Sequence, residues 1–143
     1  MKYIPTEVII VDADQPEPAV IKRAAKLLRD GEIVVFPTET VYGLGADAFQ
    51  PTALERIFVA KGRPFSDPLI VHIADEHELE LLTTTIPAEA KQLAQEFWPG
   101  PLTLILPKGP RVPHLVTAGL ETIAIRMPRH PVALALISEL GSP

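Results

Sequence analysis

Residues 7–36 read EVIIVDADQPEPAVIKRAAKLLRDGEIVVF, and the order of patterns inside this stretch decides the class of fold. Glu7–Val11 is a short β-branched run suited to a strand. Asp12–Pro18 is rich in Asp and Pro and reads as a turn. Ile21, Ala24, Ala25 and Leu28 then recur at the offsets of one helical face, with Lys22, Lys26 and Arg29 on other faces and Gly31 as a stop. Ile33–Phe36 is wholly apolar, the pattern of a strand buried in a sheet covered on both sides. Strand, helix and strand in succession predict a β-α-β start.

The same logic extends outward. Pro51–Ala60 predicts a helix with proline in its first turn and Leu54, Ile57 and Phe58 on one side. Leu69–Ile73 reads as a strand. Glu76–Leu82 and Ala88–Phe97 read as helices, the second with Ala90, Leu93, Ala94 and Phe97 in register. Leu102–Leu106 and Thr122–Met127 are strands, and Pro131–Leu140 is a helix with almost no polar face, which should be buried from more than one side. The expected class is α/β (α+β): a twisted, mixed, open sheet flanked by helices, mixed because some links are too short for helical crossovers. Without linker or repeat, residues 1–143 read as one domain.

Composition agrees. The chain has 143 residues, 47% hydrophobic and 22% charged, as in a globular domain. Such a length buries roughly 68–70% of its unfolded surface, enough for a core without staples. With no cysteine, a disulfide scaffold is excluded. No run approaches the roughly 20 apolar residues of a membrane helix, and the polar start MKYIPTEV lacks a secretory core. A reducing, cytoplasmic compartment is expected. The formal charge of −5 argues against a general polyanion binder. Residues 1–99 hold 9 of the 13 basic but 16 of the 18 acidic side chains, so the last third is mildly basic and any nucleotide contact must come from a local cluster. The 16 prolines are dispersed between apolar segments and mark element ends.

Three places could carry chemistry. Phe36–Gly45 (FPTETVYGLG) is a strand end running into hydroxyl, carboxylate and glycine residues, where ligands of open α/β sheets sit. It is neither a Walker A loop nor a dinucleotide fingerprint, and composition alone favours a tight turn in which Gly43 and Gly45 supply special dihedrals. Lys61-Gly62-Arg63-Pro64, with Ser66-Asp67-Pro68, offers two cations that can converge on an anion, the glycine removing a side chain that would keep a ligand away. Read alone, it is a solvated basic turn sooner than a phosphate site. His72 and Arg126 are polar groups embedded in apolar strands, which costs free energy unless they are paired. A satisfied core histidine and a structural salt bridge are the plain alternatives. Thr122, four residues before Arg126, shares its face of the strand.

Other residues offer less. His77, His114 and His130 occur singly, no spacing resembles a zinc set, and none of Ser66, Ser138 and Ser142 sits in a nucleophile elbow. Neither a catalytic nucleophile nor a protein-built metal site is expected. Trp98–Thr103 (WPGPLT) reads as a rigid structural turn.

Taken together, FPTETVYGLG, Lys61–Pro64 (KGRP) with Pro68–His72, WPGPLT and Ile123–Pro128 (IAIRMP) resemble the YrdC-like family, the threonylcarbamoyl-AMP synthases. The similarity spans nearly the whole chain. It implies a twisted α/β sheet around a large concave, positively lined cavity. It also implies the use of L-threonine, bicarbonate and ATP to make threonylcarbamoyl-adenylate and pyrophosphate, with Mg²⁺ accompanying the ATP. The product feeds the N6-threonylcarbamoyladenosine modification of tRNA through proteins acting downstream. Carried over by motif, Thr40, His72 and Arg126 match threonine-binding positions, and Lys61, Arg63, Asp67 and Thr122 match positions near ATP. The family's pattern continues past a Gly-x-Pro like Gly141-Ser142-Pro143 into a Ser-x-Asn motif, so a C-terminally incomplete domain is expected. Two other readings stand beside this one: an RNA-binding module using a concave basic surface, weakened by overall acidity and the lack of an aromatic-rich basic stripe, and a related carbamoyl transferase with a different acceptor.

Overall fold

The computed structural model describes residues 5–143; Met1–Ile4 of the polar start lie outside the described residues. Helix α1 (Pro18–Arg29) begins on a proline, whose fixed φ suits a first turn and whose missing N–H is one the helix would leave unpaired. Its buried face is Ile21, Ala25 and Leu28, as the period predicts. Strand β1 (Val34–Phe36) turns back into β2 (Gly43–Gly45) as an antiparallel hairpin. Helix α2 (Pro51–Lys61) ends on Gly62, whose φ of 58° is the left-handed cap that glycine adopts most cheaply. There follow β3 (Ile70–His72), a 3₁₀ turn (Glu76–Glu78), α3 (Leu79–Leu82), α4 (Ala88–Phe97), β4 (Thr103–Pro107), α5 (His114–Thr117), β5 (Thr122–Arg126) and α6 (Pro131–Leu140).

The strands form two open sheets among the described residues, β1-β2 and β3-β5-β4. The second is mixed, with β5 parallel to β3 and antiparallel to β4. Because side chains alternate across a strand, its register sorts residues cleanly. Val71, Ile125 and Leu104 lie in one row, with Ile123 beside Leu106, and all are buried in the larger core. His72, Arg126 and Thr103 form a row on the opposite face, followed by Ile70, Ala124 and Ile105 and then by Thr122 with Pro107.

Helix α6 is covered from two directions, as its sequence requires. Ala133 and Leu136 join Ala25, Leu28 and Phe36 in a second core, while Leu134 packs against the first. A buried Leu contributes roughly 1.5–3 kcal/mol. Arg29 Nη2 donates to the Glu139 carbonyl at 3.0 Å, a cation at the end of a helix where carbonyls lack partners. Asp47 ties down the last residues: it accepts from the Ser142 hydroxyl at 3.0 Å and from the Phe49 N–H at 3.0 Å, and Ala48 N–H donates to the Pro143 carbonyl.

Several expectations need correction. Glu7–Val11 is not a strand; Val8 is 84% and Ile10 93% exposed, and no strand pairs with them among the described residues. β-Branched residues favour a strand only where a neighbour covers them. Val35 is 61% exposed, so the β1 run is covered on one side, not both. Leu93 and Phe97 share the period of Ala90 and Ala94 yet remain substantially exposed. Strand β2 and helix α5 were not foreseen, being too short for either period to register. Trp98–Thr103 is structural as read: Trp98 is buried and its Nε1 donates to the Leu102 carbonyl at 2.8 Å. Among the described residues, no helix is long and apolar enough to cross a membrane.

Candidate functional site

The β1–β2 hairpin brings its loop to the outward face of the mixed sheet. Gly43 and Gly45 serve close approach rather than unusual dihedrals: a Cβ on Gly45 would stand 2.7 Å from Phe36 Cε1. The Phe36 ring in turn meets the His72 imidazole edge-on, with centroids 6.2 Å apart, which joins the hairpin to β3. Within the loop, the Thr38 hydroxyl accepts from the backbone N–H groups of Thr40 at 3.3 Å and Val41 at 3.2 Å. This fixes the segment that carries Glu39 and Thr40.

Arg126, at the end of β5, receives that loop. Its Nη2 donates to the Thr40 hydroxyl at 3.3 Å and forms an ion pair with Glu39 Oε1. Glu39 Oε2 accepts the backbone N–H of Arg129. The ion pair is well shielded, with side chains 12% exposed for Arg126 and 19% for Glu39. Burial lowers the Arg126 guanidinium below its ordinary pKa. Its Nε is buried without a hydrogen-bond partner. A buried guanidinium N–H left so costs about 1–3 kcal/mol.

His72 is the Cα partner of Arg126 across the parallel ladder, about 4.8 Å away in the pairing direction. Its Nδ1 lies 3.1 Å from the Ile70 carbonyl. Burial pushes its pKa below the usual 6.5, and that hydrogen bond opposes the shift. Thr40, His72 and Arg126, picked from sequence, thus come together.

The remaining expected residues lie apart from this cluster. Lys61 is exposed in the last turn of α2 and makes no ion pair or side-chain hydrogen bond among the described residues. Arg63 folds over its own loop, with Nη2 donating to the Pro68 carbonyl and Nε 3.7 Å from Asp67 Oδ2. No contact joins either cation to Arg126 among the described residues. Gly62 acts as a helix cap, with open space around its missing Cβ. Thr122 shares the outward face of β5 with Arg126, about 13 Å away along the strand. Between them lie the exposed Ile70 and Ile105 flanking Ala124. Two shallow grooves, of about 440 and 520 Å³, are lined by Glu32, Thr52 and Arg56 and by Asp75, His77 and Lys91 respectively; neither contains Thr40, His72 or Arg126.

Glu39 is the site residue that sequence reasoning passed over, although it sat in a quoted motif. The signal was available: an arginine in an apolar strand demands a counter-charge, and Glu39 is the carboxylate of the loop already singled out. Among the described residues, no group of three or more His, Cys, Asp or Glu side chains is assembled to hold a metal ion.

A shielded carboxylate–guanidinium pair thus stands beside the open sheet face of a mixed α/β domain. The chain belongs to the Sua5/YciO/YrdC family, whose model, described as "Telomere recombination", matches residues 26–143. It is 58% identical over 117 residues to threonylcarbamoyl-AMP synthase of Pyrococcus abyssi, covering 82% of this chain and 34% of that protein. It is 61% identical over 124 residues to threonylcarbamoyl-AMP synthase of Bacillus subtilis, covering 86% of this chain and 36% of that one. The chain thus spans about a third of the length of these relatives. Its fold matches P. abyssi Sua5 complexed with L-threonine, with a TM-score of 0.91, 52% identity and coverage of 95% of this chain and 40% of that one. It also matches E. coli YciO, with a TM-score of 0.83, 30% identity and coverage of 93% and 65%.

Proposed function

We propose that this chain carries the amino-acid and nucleotide sites of a threonylcarbamoyl-AMP synthase, which joins L-threonine, bicarbonate and ATP into threonylcarbamoyl-adenylate with release of pyrophosphate. The observation that carries the reading is the cluster of Thr40, His72 and Arg126 at one end of an open sheet face, with a buried guanidinium donor to spare. Its support is the likeness to relatives named for that activity.

Arg126 binds the carboxylate of threonine, with Thr40 and His72 hydrogen-bonding its other polar groups. Lys61 at the end of α2 and Arg63 and Asp67 on the loop that follows, together with Thr122, form the ATP side, where the two cations neutralise phosphates; Mg²⁺ arriving with the ATP would add further positive charge there. The apolar row of Ile70, Ala124 and Ile105 gives a flat floor between the two ends.

No side-chain nucleophile is needed. The threonine amine and bicarbonate give an N-carboxy-threonine and water, and the new carboxylate attacks the α-phosphorus as pyrophosphate leaves. The task of the protein is to hold two anions together and offset their repulsion. Each cation then contributes about 3 kcal/mol if it acts as an oxyanion-hole donor does. The adenylate is passed to cytoplasmic proteins that modify tRNA.

The test is pyrophosphate release by the purified protein. The expected result is release that requires threonine and bicarbonate together with ATP. Release without threonine, or with another amino acid equally well, overturns the reading; so does salt-sensitive RNA binding with no release at all.

A further inference from the structure

We propose that Glu39 is the ammonium-binding residue of the amino-acid site, so that Glu39 and Arg126 together read both charges of a zwitterion. This rests on the reading that Arg126 holds the amino-acid carboxylate, and it assigns a role to a residue that reading leaves idle.

The pair is unlike the other ion pairs among the described residues. Arg23–Glu7, Lys26–Asp30 and Arg56–Glu32 are exposed on both sides, and Arg63–Asp67 has a carboxylate 53% exposed. Glu39 and Arg126 are shielded on both sides. Shielded opposite charges cannot be separated without leaving one uncompensated, so a ligand that enters there must bring a charge of each sign. A free α-amino acid does so from a single carbon atom. A plain carboxylate would satisfy Arg126 while meeting Glu39 as a like charge.

The geometry permits both partners to remain in place. Arg126 keeps a buried Nε donor that neither Glu39 nor Thr40 uses. Glu39 is held from behind by the Arg129 N–H on Oε2, which anchors the carboxylate independently of the guanidinium. The Thr38 hydroxyl fixes the loop just ahead of it.

The experiment is calorimetric titration of the whole protein as wild type, E39Q, E39D and R126A. The ligands are L-threonine and the matching 2,3-dihydroxybutanoate, in which a hydroxyl replaces the ammonium. Wild type should bind threonine at least tenfold more tightly than the hydroxy acid. E39Q keeps an oxygen able to accept the Arg129 N–H; it should lose threonine affinity about tenfold and leave the hydroxy acid unchanged or tighter. E39D, which keeps the charge, should retain most of the discrimination. Unchanged or improved threonine binding by E39Q overturns the proposal, because Glu39 would then be a placeholder that the ligand displaces. Equal loss of both ligands in E39Q overturns it too, leaving Glu39 as support for Arg126 alone. Failure of the underlying reading looks different: R126A would bind both ligands as wild type does, or wild type would bind neither, and the proposal falls with it.

Discussion

The Arg126 guanidinium donates to the Thr40 hydroxyl at 3.3 Å, across a sequence separation of 86 residues. With the Glu39 ion pair, this contact fastens the hairpin loop to the last residue of the central strand, so the stability of the fold and the shape of the site depend on the same atoms. Removing the cation leaves the Glu39 carboxylate shielded and without its partner. R126A should therefore destabilise the protein by about 2 kcal/mol, between the values for exposed and fully buried pairs. The R126A/E39Q double variant should recover part of that loss, because the stranded charge is gone. Urea unfolding of the four proteins in a double-mutant cycle measures the coupling, and strictly additive losses would count against it.

Gly45 is a second point of dependence. An alanine methyl there would meet the Phe36 ring at 2.7 Å, and that ring is packed between the second core and His72. G45A should cost about 1–3 kcal/mol, as overpacking does. G62A meets open space but must hold a φ of 58°, so it should cost about 1 kcal/mol for backbone strain alone. Denaturant midpoints at constant slope separate the two.

His72 makes stability depend on pH in a stated direction. Burial holds its folded pKa below the usual 6.5, so the unfolded chain takes up a proton that the folded chain resists. Stability contributed by the neutral ring is complete above about pH 6.5 and falls as the pH drops through the folded value. Unfolding free energy measured from about pH 7.5 to about pH 5.5, above the range where ordinary carboxylates titrate, should decrease on acidification. H72Q should show a shallower slope, and an unchanged slope would remove His72 as the cause.

Much of this was legible because the relevant signals are local. Pro18, Pro51 and Pro131 mark helix starts, and the period of Ile21, Ala25 and Leu28 gives the buried face of α1 directly. The alternation in Thr122–Arg126 was enough to place Thr122 and Arg126 on one face. Pairing, by contrast, is not local. Val8 and Ile10 have strand-forming side chains but no neighbouring strand, and no propensity contains that fact. Val35 looked doubly buried because its own segment does not tell which sheet it joins. Glu39 is harder to assign from sequence for a related reason: its partner Arg126 lies far along the chain, and only the packing of the β1–β2 loop against the end of β5 brings the two together.

The division of labour between Arg126 and Lys61 is tested most directly by calorimetric titration of L-threonine and of ATP into R126A and K61A. The account predicts that R126A loses threonine affinity at least tenfold while ATP affinity changes less than about twofold, and that K61A does the reverse. Equal loss of both ligands in either variant would contradict it.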